Sequence, residues 1–394
     1  MDRHIKILID YIKAFFPYTI YRLFSFLLPV QSNKYFCMSM AGNNYGDNIK
    51  CLSDYISQKD PYAEIIWAFS KLYFNNVQCS HKKVLLYSVS YYYHIATSKY
   101  FLTNQQCRNI TFRKRKGQIK LQTWHGTALK KLGNDIKQKK NNVFLSWVTP
   151  NKNKYELRDT DIFISGTQFM VDVFRSAYRW TNIYLTGTPR NDLFWHNNDG
   201  LITKIKKYFR IDGQKILLYA PTFRSDMKLN YYDVNLRELK KYFEKKDECE
   251  YVVMVRLHPN IMAKASHLSD VLKVDYIDST LYPDMQELLY AADVLVTDYS
   301  SVMFDFMYSY KPIIIYAPDK DKYERGFYLD INSLPFVVVY SNDEITEVVD
   351  SFDWDKYQQK IDVFLKNIGS VEDGNATERV CKLLETYPNI NRCL

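Results

Sequence analysis

Two successive series of short apolar runs, bounded by turn residues and alternating with stretches of helical character, constrain this 394-residue chain more than any other feature. The first series contains KYFCMSM (34–40), EIIWAF (64–69), SKYFLTN (98–104) and GQIKLQTW (117–124), and it closes with NIYLTGTPRND (182–192). The loop AGNNYGDN and the helix IKCLSDYI follow its first strand. The second series runs KILLYAPTF (215–223), YVVMVRLHP (251–259), VDYID (274–278), DVLVTD (293–298) and KPIIIYAP (311–318), with helices near 233–245, at MQELLYAA and from Ser301. Apolar strands alternating with helices predict parallel sheets covered on both faces, the α/β class, and two series predict two doubly wound domains facing a cleft. Polar, turn-rich residues near Asn197 to Gly200 place the boundary close to residue 200. The division is then 1–33, 34–199 and 200–394, with the final helix free to return to the N-terminal domain.

The first 33 residues are apolar but not a simple spanning helix. Lys6, Asp10, Lys13 and Arg22 interrupt the segment and Pro17 breaks it, where a span needs about 20 predominantly apolar residues. It lacks the cleavage site of a signal peptide. Aromatic and leucine residues mixed with Lys and Arg leave two readings: an amphipathic segment lying on a membrane surface, or a first helix packed on its own domain. Seven cysteines, odd in number and without a C-x-x-C pair, argue for reduced thiols, no structural zinc and a cytoplasmic compartment.

In open parallel sheets ligands bind beyond the carboxyl ends of the strands, and the chemically able residues lie there. His125 follows LQTW, with a side chain suited to moving a proton near neutral pH and Gly126 beside it to allow close backbone approach. A histidine merely packed beside Trp124 is the alternative. Thr222 and Arg224 follow ILLYAP. Arg256 and His258 share one side of the chain at the end of the run YVVMVRLHP, a pairing of donors that suits a pyrophosphate. Ser300 or Ser301 is expected to cap the helix leading to Asp305, so that its first N–H groups form an anion site.

Other signals exclude classes. No G-x-x-x-x-G-K-[ST], G-x-G-x-x-G or G-x-S-x-G occurs, which removes P-loop, dinucleotide and nucleophile-elbow readings. Asp159-Thr160-Asp161 is a D-x-D but precedes an apolar run instead of ending a strand, so no metal is expected. The formal charge of +9 is local. Residues 111–154 hold twelve Lys or Arg, among them Lys130, Lys131, Lys137, Lys139 and Lys140, against Asp135 alone; the rest of the chain sums to −2. A basic face beside His125 suits an anionic substrate or membrane surface better than a nucleic-acid groove.

In order, QTWHGTALKKLG, TGTPRND, LLYAPTFR, RLHP, LVTDYSSVMFD with KPIIIY, and DGNATERV resemble the motifs of the CDP-glycerol glycerophosphotransferase family of teichoic-acid synthesis. AGNNYGDN resembles that family's N-terminal loop. The resemblance spans roughly residues 35–385. It implies two Rossmann-like domains in the GT-B arrangement, an N-terminal acceptor domain and a C-terminal donor domain, and no cofactor or metal. It implies peripheral attachment to the cytoplasmic side of the cell membrane. The activity implied is transfer of glycerol phosphate from CDP-glycerol to a hydroxyl of a lipid-linked (undecaprenyl diphosphate) acceptor, releasing CMP, in teichoic-acid or capsular polymer synthesis. By similarity His125 and His258 are catalytic, Arg256 contacts the donor phosphates, and Thr222, Arg224, Ser300, Ser301 and Asp305 bind the donor. Phe223 stands where the family often has Trp. Two alternatives follow: the same fold with CDP-ribitol or a nucleotide sugar, and a non-catalytic membrane- or nucleic-acid-binding module.

Overall fold

The computed structural model describes residues 19–105, 114–136, 157–222, 224, 231–257, 271–320 and 326–390. The N-terminal segment up to residue 18, Lys137, Lys139, Lys140 and His258 lie outside them. The chain forms two compact units. The first comprises Met1–His125, Gln138–Asp192 and Val371–Leu394; the second comprises Gly126–Lys137 and Leu193–Ser370.

In the first unit, β1 (Gln31–Met38), β2 (Glu64–Phe69), β3 (Lys82–Leu85), β4 (Ser98–Thr103), β5 (Ile119–Gln122), β6 (Ile162–Ser165) and β7 (Ile183–Leu185) form one sheet in the order β3-β2-β1-β4-β5-β6-β7. Every pair is parallel. Strand side chains alternate, so Phe36, Ile66 and Phe101 enter one core while Cys37, Trp67 and Leu102 enter another on the opposite face. Each large side chain buried in this way contributes about 1.5–3 kcal/mol, which is why both faces need helical cover. Helix α1 (Asp47–Lys59) covers the second face with Ile49, Leu52 and Ile56. The last helix, α2 (Ala376–Ile390), lays Val380, Cys381, Leu384 and Tyr387 on the same core, so the end of the chain belongs to the first unit.

In the second unit, β8 (Lys215–Tyr219), β9 (Tyr251–Val255), β10 (Tyr276–Asp278), β11 (Val294–Thr297), β12 (Ile313–Tyr316) and β13 (Val337–Val339) run parallel in the order β10-β9-β8-β11-β12-β13. Leu217, Tyr219, Val253, Val294 and Ile314 form its core with Leu239 and Phe243. The first unit's middle segment ends at Asp192, and among the turn residues near 197–200 Asn198 caps the helix Asp199–Phe209 by accepting from the Leu201 N–H at 3.1 Å.

Residues 19–27 are helical. Tyr21 packs into the first-unit core, whereas Leu23, Phe26 and Leu27 face solvent, Phe26 with 88% of its surface exposed. No helix among the described residues is long and apolar enough to cross a membrane.

Candidate active site

Strand order reverses once in each sheet, between β1 and β4 and again between β8 and β11. At such switch points the connections leave on opposite faces and open a crevice at the carboxyl strand ends. Of the sequence-predicted residues, His125 follows β5 in the first unit, while in the second Thr222 and Arg224 follow β8, Arg256 follows β9, and Ser300, Ser301 and Asp305 follow β11.

In the first unit Asn104, directly after β4, is the hub. Its side-chain amide donates to Ser39 Oγ at 2.9 Å and to Asp47 Oδ2 at 2.8 Å, and its Oδ1 accepts from the Met40 N–H at 2.8 Å. Asp47 opens α1 with φ +63, a left-handed conformation that Asp and Asn tolerate better than other side-chain-bearing residues. Its Oδ1 pairs with Arg190 Nη1 at 2.9 Å, both side chains being largely buried. Asn48 is fully buried; it accepts from the Arg190 N–H at 3.0 Å and donates to the Trp124 carbonyl at 3.3 Å. The segments AGNNYGDN and TGTPRND are thereby joined to the loop that carries His125.

That loop is tightly held. Trp124 adopts φ +57 with its N–H donated to Gln122 Oε1, and its ring stacks on His125 at 4.7 Å while packing against Phe174, Tyr178 and Trp180. A left-handed tryptophan costs about 1–3 kcal/mol and persists because this aromatic cluster fixes it. His125 itself is half-buried, with Nδ1 at 2.9 Å from the Asn104 carbonyl oxygen. A carbonyl only accepts, so Nδ1 carries the proton and Nε2 of the neutral ring is an acceptor. Burial pushes the imidazole below its ordinary pKa, the Asn104 carbonyl and the Asp47 carboxylate oppose that shift, and Arg190 adds to it. A neutral imidazole with a free lone pair at neutral pH is the form a general base needs.

The end of the chain buttresses this region. Asp192 accepts from the Ala376 and Thr377 N–H groups at 2.9 and 2.7 Å, and Glu372 accepts from the Thr188 N–H at 2.9 Å. Burial pushes the Glu372 carboxyl up to about 7 despite those hydrogen bonds. A Cβ on Gly166 would lie 2.1 Å from Glu372 Oε1, so only glycine admits this carboxylate.

In the second unit Arg224 is buried as a cation between two carboxylates. It donates from Nη1 to Asp298 Oδ2 at 2.8 Å and grips Asp319 from Nε and Nη2 at 2.8 and 3.2 Å. The Thr222 N–H also donates to Asp298, at 2.9 Å. The guanidinium expected to face a donor phosphate is therefore engaged within the protein, where it shapes the Thr222 loop. Arg256 donates from Nη1 to the Ser279 and Tyr282 carbonyls at 3.1 and 2.6 Å. Asp305 is buried and accepts from Gln286 at 3.1 Å. Ser300 and Ser301 are half-exposed. The expected cap is corrected: Ser301 makes no side-chain cap hydrogen bond, and the helix that follows, Val302–Phe306, has five residues. So short a helix has little macrodipole, because its few peptide units sum to little.

Several residues of the basic run have structural roles. Lys120 is buried in β5 above the Phe101 ring, Lys114 pairs with Asp161, and Arg115 donates to the Ala96 and Leu28 carbonyls at 2.6 and 2.9 Å. Lys130 and Lys131 belong to the second unit, where Lys130 bridges Phe327 and the Lys131 N–H donates to Gly326 at 3.0 Å. The D-x-D carboxylates have structural partners: Arg158 for Asp159, and Lys114 with the Lys120 N–H for Asp161. Among the described residues no cluster of three or more His, Cys, Asp or Glu is placed to hold a metal, and Cys37, Cys51, Cys79, Cys249 and Cys381 are free thiols. Asn104, Asp47, Asn48 and Arg190 were not singled out by sequence reasoning as site residues, although Asn104 directly follows a strand and the others lie in the segments AGNNYGDN and TGTPRND.

The fold defines an α/β protein with a strand-order switch point in each of its two units. The chain belongs to the CDP-Glycerol:Poly(glycerophosphate) glycerophosphotransferase family, whose model matches residues 20–386, and is accordingly a CDP-glycerol glycerophosphotransferase. It is 31% identical to the teichoic acid glycerol-phosphate transferase of Staphylococcus aureus, over 95% of this chain and 98% of that protein. It is 30% identical to the teichoic acid poly(glycerol phosphate) polymerase of Bacillus spizizenii, over 91% and 93%. Among solved structures it is similar to the wall teichoic acid polymerase TagF, with a TM-score of 0.80 and 28% identity over 98% of this chain and 97% of that one. A TagF variant soaked with CDPG gives 0.78, at 26% identity over 98% of both chains.

Proposed function

We propose that this enzyme transfers glycerol phosphate from CDP-glycerol to a hydroxyl of a lipid-linked acceptor or growing polymer in teichoic-acid synthesis, releasing CMP. The observation that carries the reading is the His125 Nδ1 bond to the Asn104 carbonyl, which leaves Nε2 as the proton acceptor. The acceptor oxygen attacks the β-phosphorus, its proton passes to Nε2, and the bond from that phosphorus to the CMP oxygen breaks. Arg256, His258, Ser300 and Ser301 stabilise charge on the donor phosphates, and Thr222 joins them. Arg224 and Asp305, both buried, fix the shape of that donor pocket. Release of CMP or of a nucleoside diphosphate, measured with CDP-glycerol, CDP-ribitol and a nucleotide sugar, tests the donor: rapid CMP release from CDP-glycerol alone is expected, and preference for either other donor contradicts the reading.

The enzyme works at the cytoplasmic side of the cell membrane as a peripheral protein, a reading supported by the exposed Leu23, Phe26 and Leu27 of the helix at 19–27 and by the run of basic residues. Anionic vesicles are expected to pellet the protein at low salt, and reversal of Lys137, Lys139 and Lys140 to Glu to weaken that binding. Equal pelleting by the variant and the wild type overturns the basic contribution.

A further inference from the structure

Asp47, Asn104 and Arg190 come from three separate segments: Arg190 pairs with Asp47, Asp47 holds the Asn104 side chain, and the Asn104 backbone carbonyl alone meets His125, at Nδ1. We propose that Asp47, held in place by Arg190, is the positioning residue for His125, acting through Asn104 to set the imidazole's tautomer and to favour the imidazolium as it forms. The inference rests on the reading of His125 as the general base.

The chain of contacts is short. Arg190 Nη1 reaches Asp47 Oδ1 at 2.9 Å, Asp47 Oδ2 takes the Asn104 amide at 2.8 Å, and the Asn104 carbonyl takes His125 Nδ1–H at 2.9 Å. Each group can fill only one role. The guanidinium only donates, the ionised carboxylate only accepts, and the backbone carbonyl only accepts. The direction of donation is therefore fixed from Arg190 to Asp47 and from His125 to Asn104, which leaves the neutral ring a lone pair on Nε2 alone. Partial burial makes the imidazole resist becoming a cation, and Asp47 is the anion that eases it, while Arg190 opposes. Asp47 thus supplies charge as well as geometry, in the way a carboxylate beyond a histidine orients it and stabilises its protonated form. Asn48 and Ser39 complete the clamp, holding the Trp124 carbonyl and the Asn104 amide.

Asp47→Asn is the discriminating variant, because Asn also tolerates φ +63 and matches Asp in shape, so charge is removed with little change of backbone. Histidine-selective 15N NMR on the full chain reads tautomer and titration directly, with the His125 signal assigned by its loss in His125→Gln. Wild-type His125 is expected in the Nδ1–H form, and Asp47→Asn to titrate at lower pH. In transfer assays the variant's kcat should fall about 10- to 100-fold with KM for CDP-glycerol little changed, and the acid limb of kcat/KM should move to lower pH. Asn104→Ala keeps the backbone carbonyl and the Asp47–Arg190 ion pair but removes the side-chain hydrogen bonds to Ser39, Asp47 and Met40 that aim that carbonyl, so a mixture of tautomers is expected. An Nε2–H form in the wild type, or titration and tautomer unaltered in both variants, overturns the proposal. The NMR arm needs no substrate, so failure of the transferase reading, seen as absent turnover in the wild type, is distinguished from failure of the positioning role.

Discussion

His125→Ala is expected to lower turnover by about 10²–10⁴-fold, the usual worth of a positioned general base, while CDP-glycerol binds nearly as before. The separation follows from where the residues sit. His125 lies in the loop after β5 of the first unit, whereas Thr222, Arg256, Ser300 and Ser301 lie in the second, on loops that keep their own hydrogen bonds. The ring stacks on Trp124 but carries no core of its own, since Phe163, Phe174 and Trp180 pack with Trp124. Folding should survive the change. His258→Ala is the contrasting variant: it should weaken donor binding and turnover together. Calorimetry against CDP-glycerol with single-turnover transfer separates the two. Near-normal turnover in His125→Ala, or unchanged donor affinity in His258→Ala, contradicts the assigned roles.

The largest stability effect is expected at Arg224. Its side chain is 6% exposed and neutralises Asp298 and Asp319, which are as deeply buried. Removing one partner of a buried ion pair leaves an uncompensated charge and costs about 3–5 kcal/mol. Arg224→Ala should lower the urea midpoint of the second unit accordingly, and a loss below about 1 kcal/mol would show that water already screens the triad. The pH dependence has a definite sign. Burial alone would push the Asp319 carboxyl up, but the hydrogen bonds and charge of Arg224, with the Tyr299 hydroxyl, hold it below its ordinary value. A depressed folded pKa gives stability that is present above the unfolded value of about 3.9 and lost as pH falls through the folded one. Wild type should therefore lose this increment below about pH 4, and Arg224→Ala should have none to lose.

Much of the fold was legible because strand periodicity is local. EIIWAF is β2 residue for residue, and YVVMV, VLVT and IIIY are the cores of β9, β11 and β12. The strand Lys82–Leu85 escaped because two lysines open it at the sheet edge, where one side is solvated. His125 was legible as a strand-end residue, but its partners were not: Asn104 meets Asp47 across 57 positions and Arg190 meets Asp47 across 143. No local pattern encodes such pairings. Nor did the basic run show which of its members take structural roles: Lys120 is buried in β5, and Lys130 and Lys131 belong to the second unit.

The most direct measurement is transfer of radiolabelled glycerol phosphate from CDP-glycerol to a purified lipid-linked disaccharide acceptor, followed with CMP release in the same reaction. Label should enter the lipid fraction with one CMP released per glycerol phosphate transferred, and His125→Ala should reduce both together. CMP release without labelled lipid, or label entering the lipid undiminished in His125→Ala, would contradict the account.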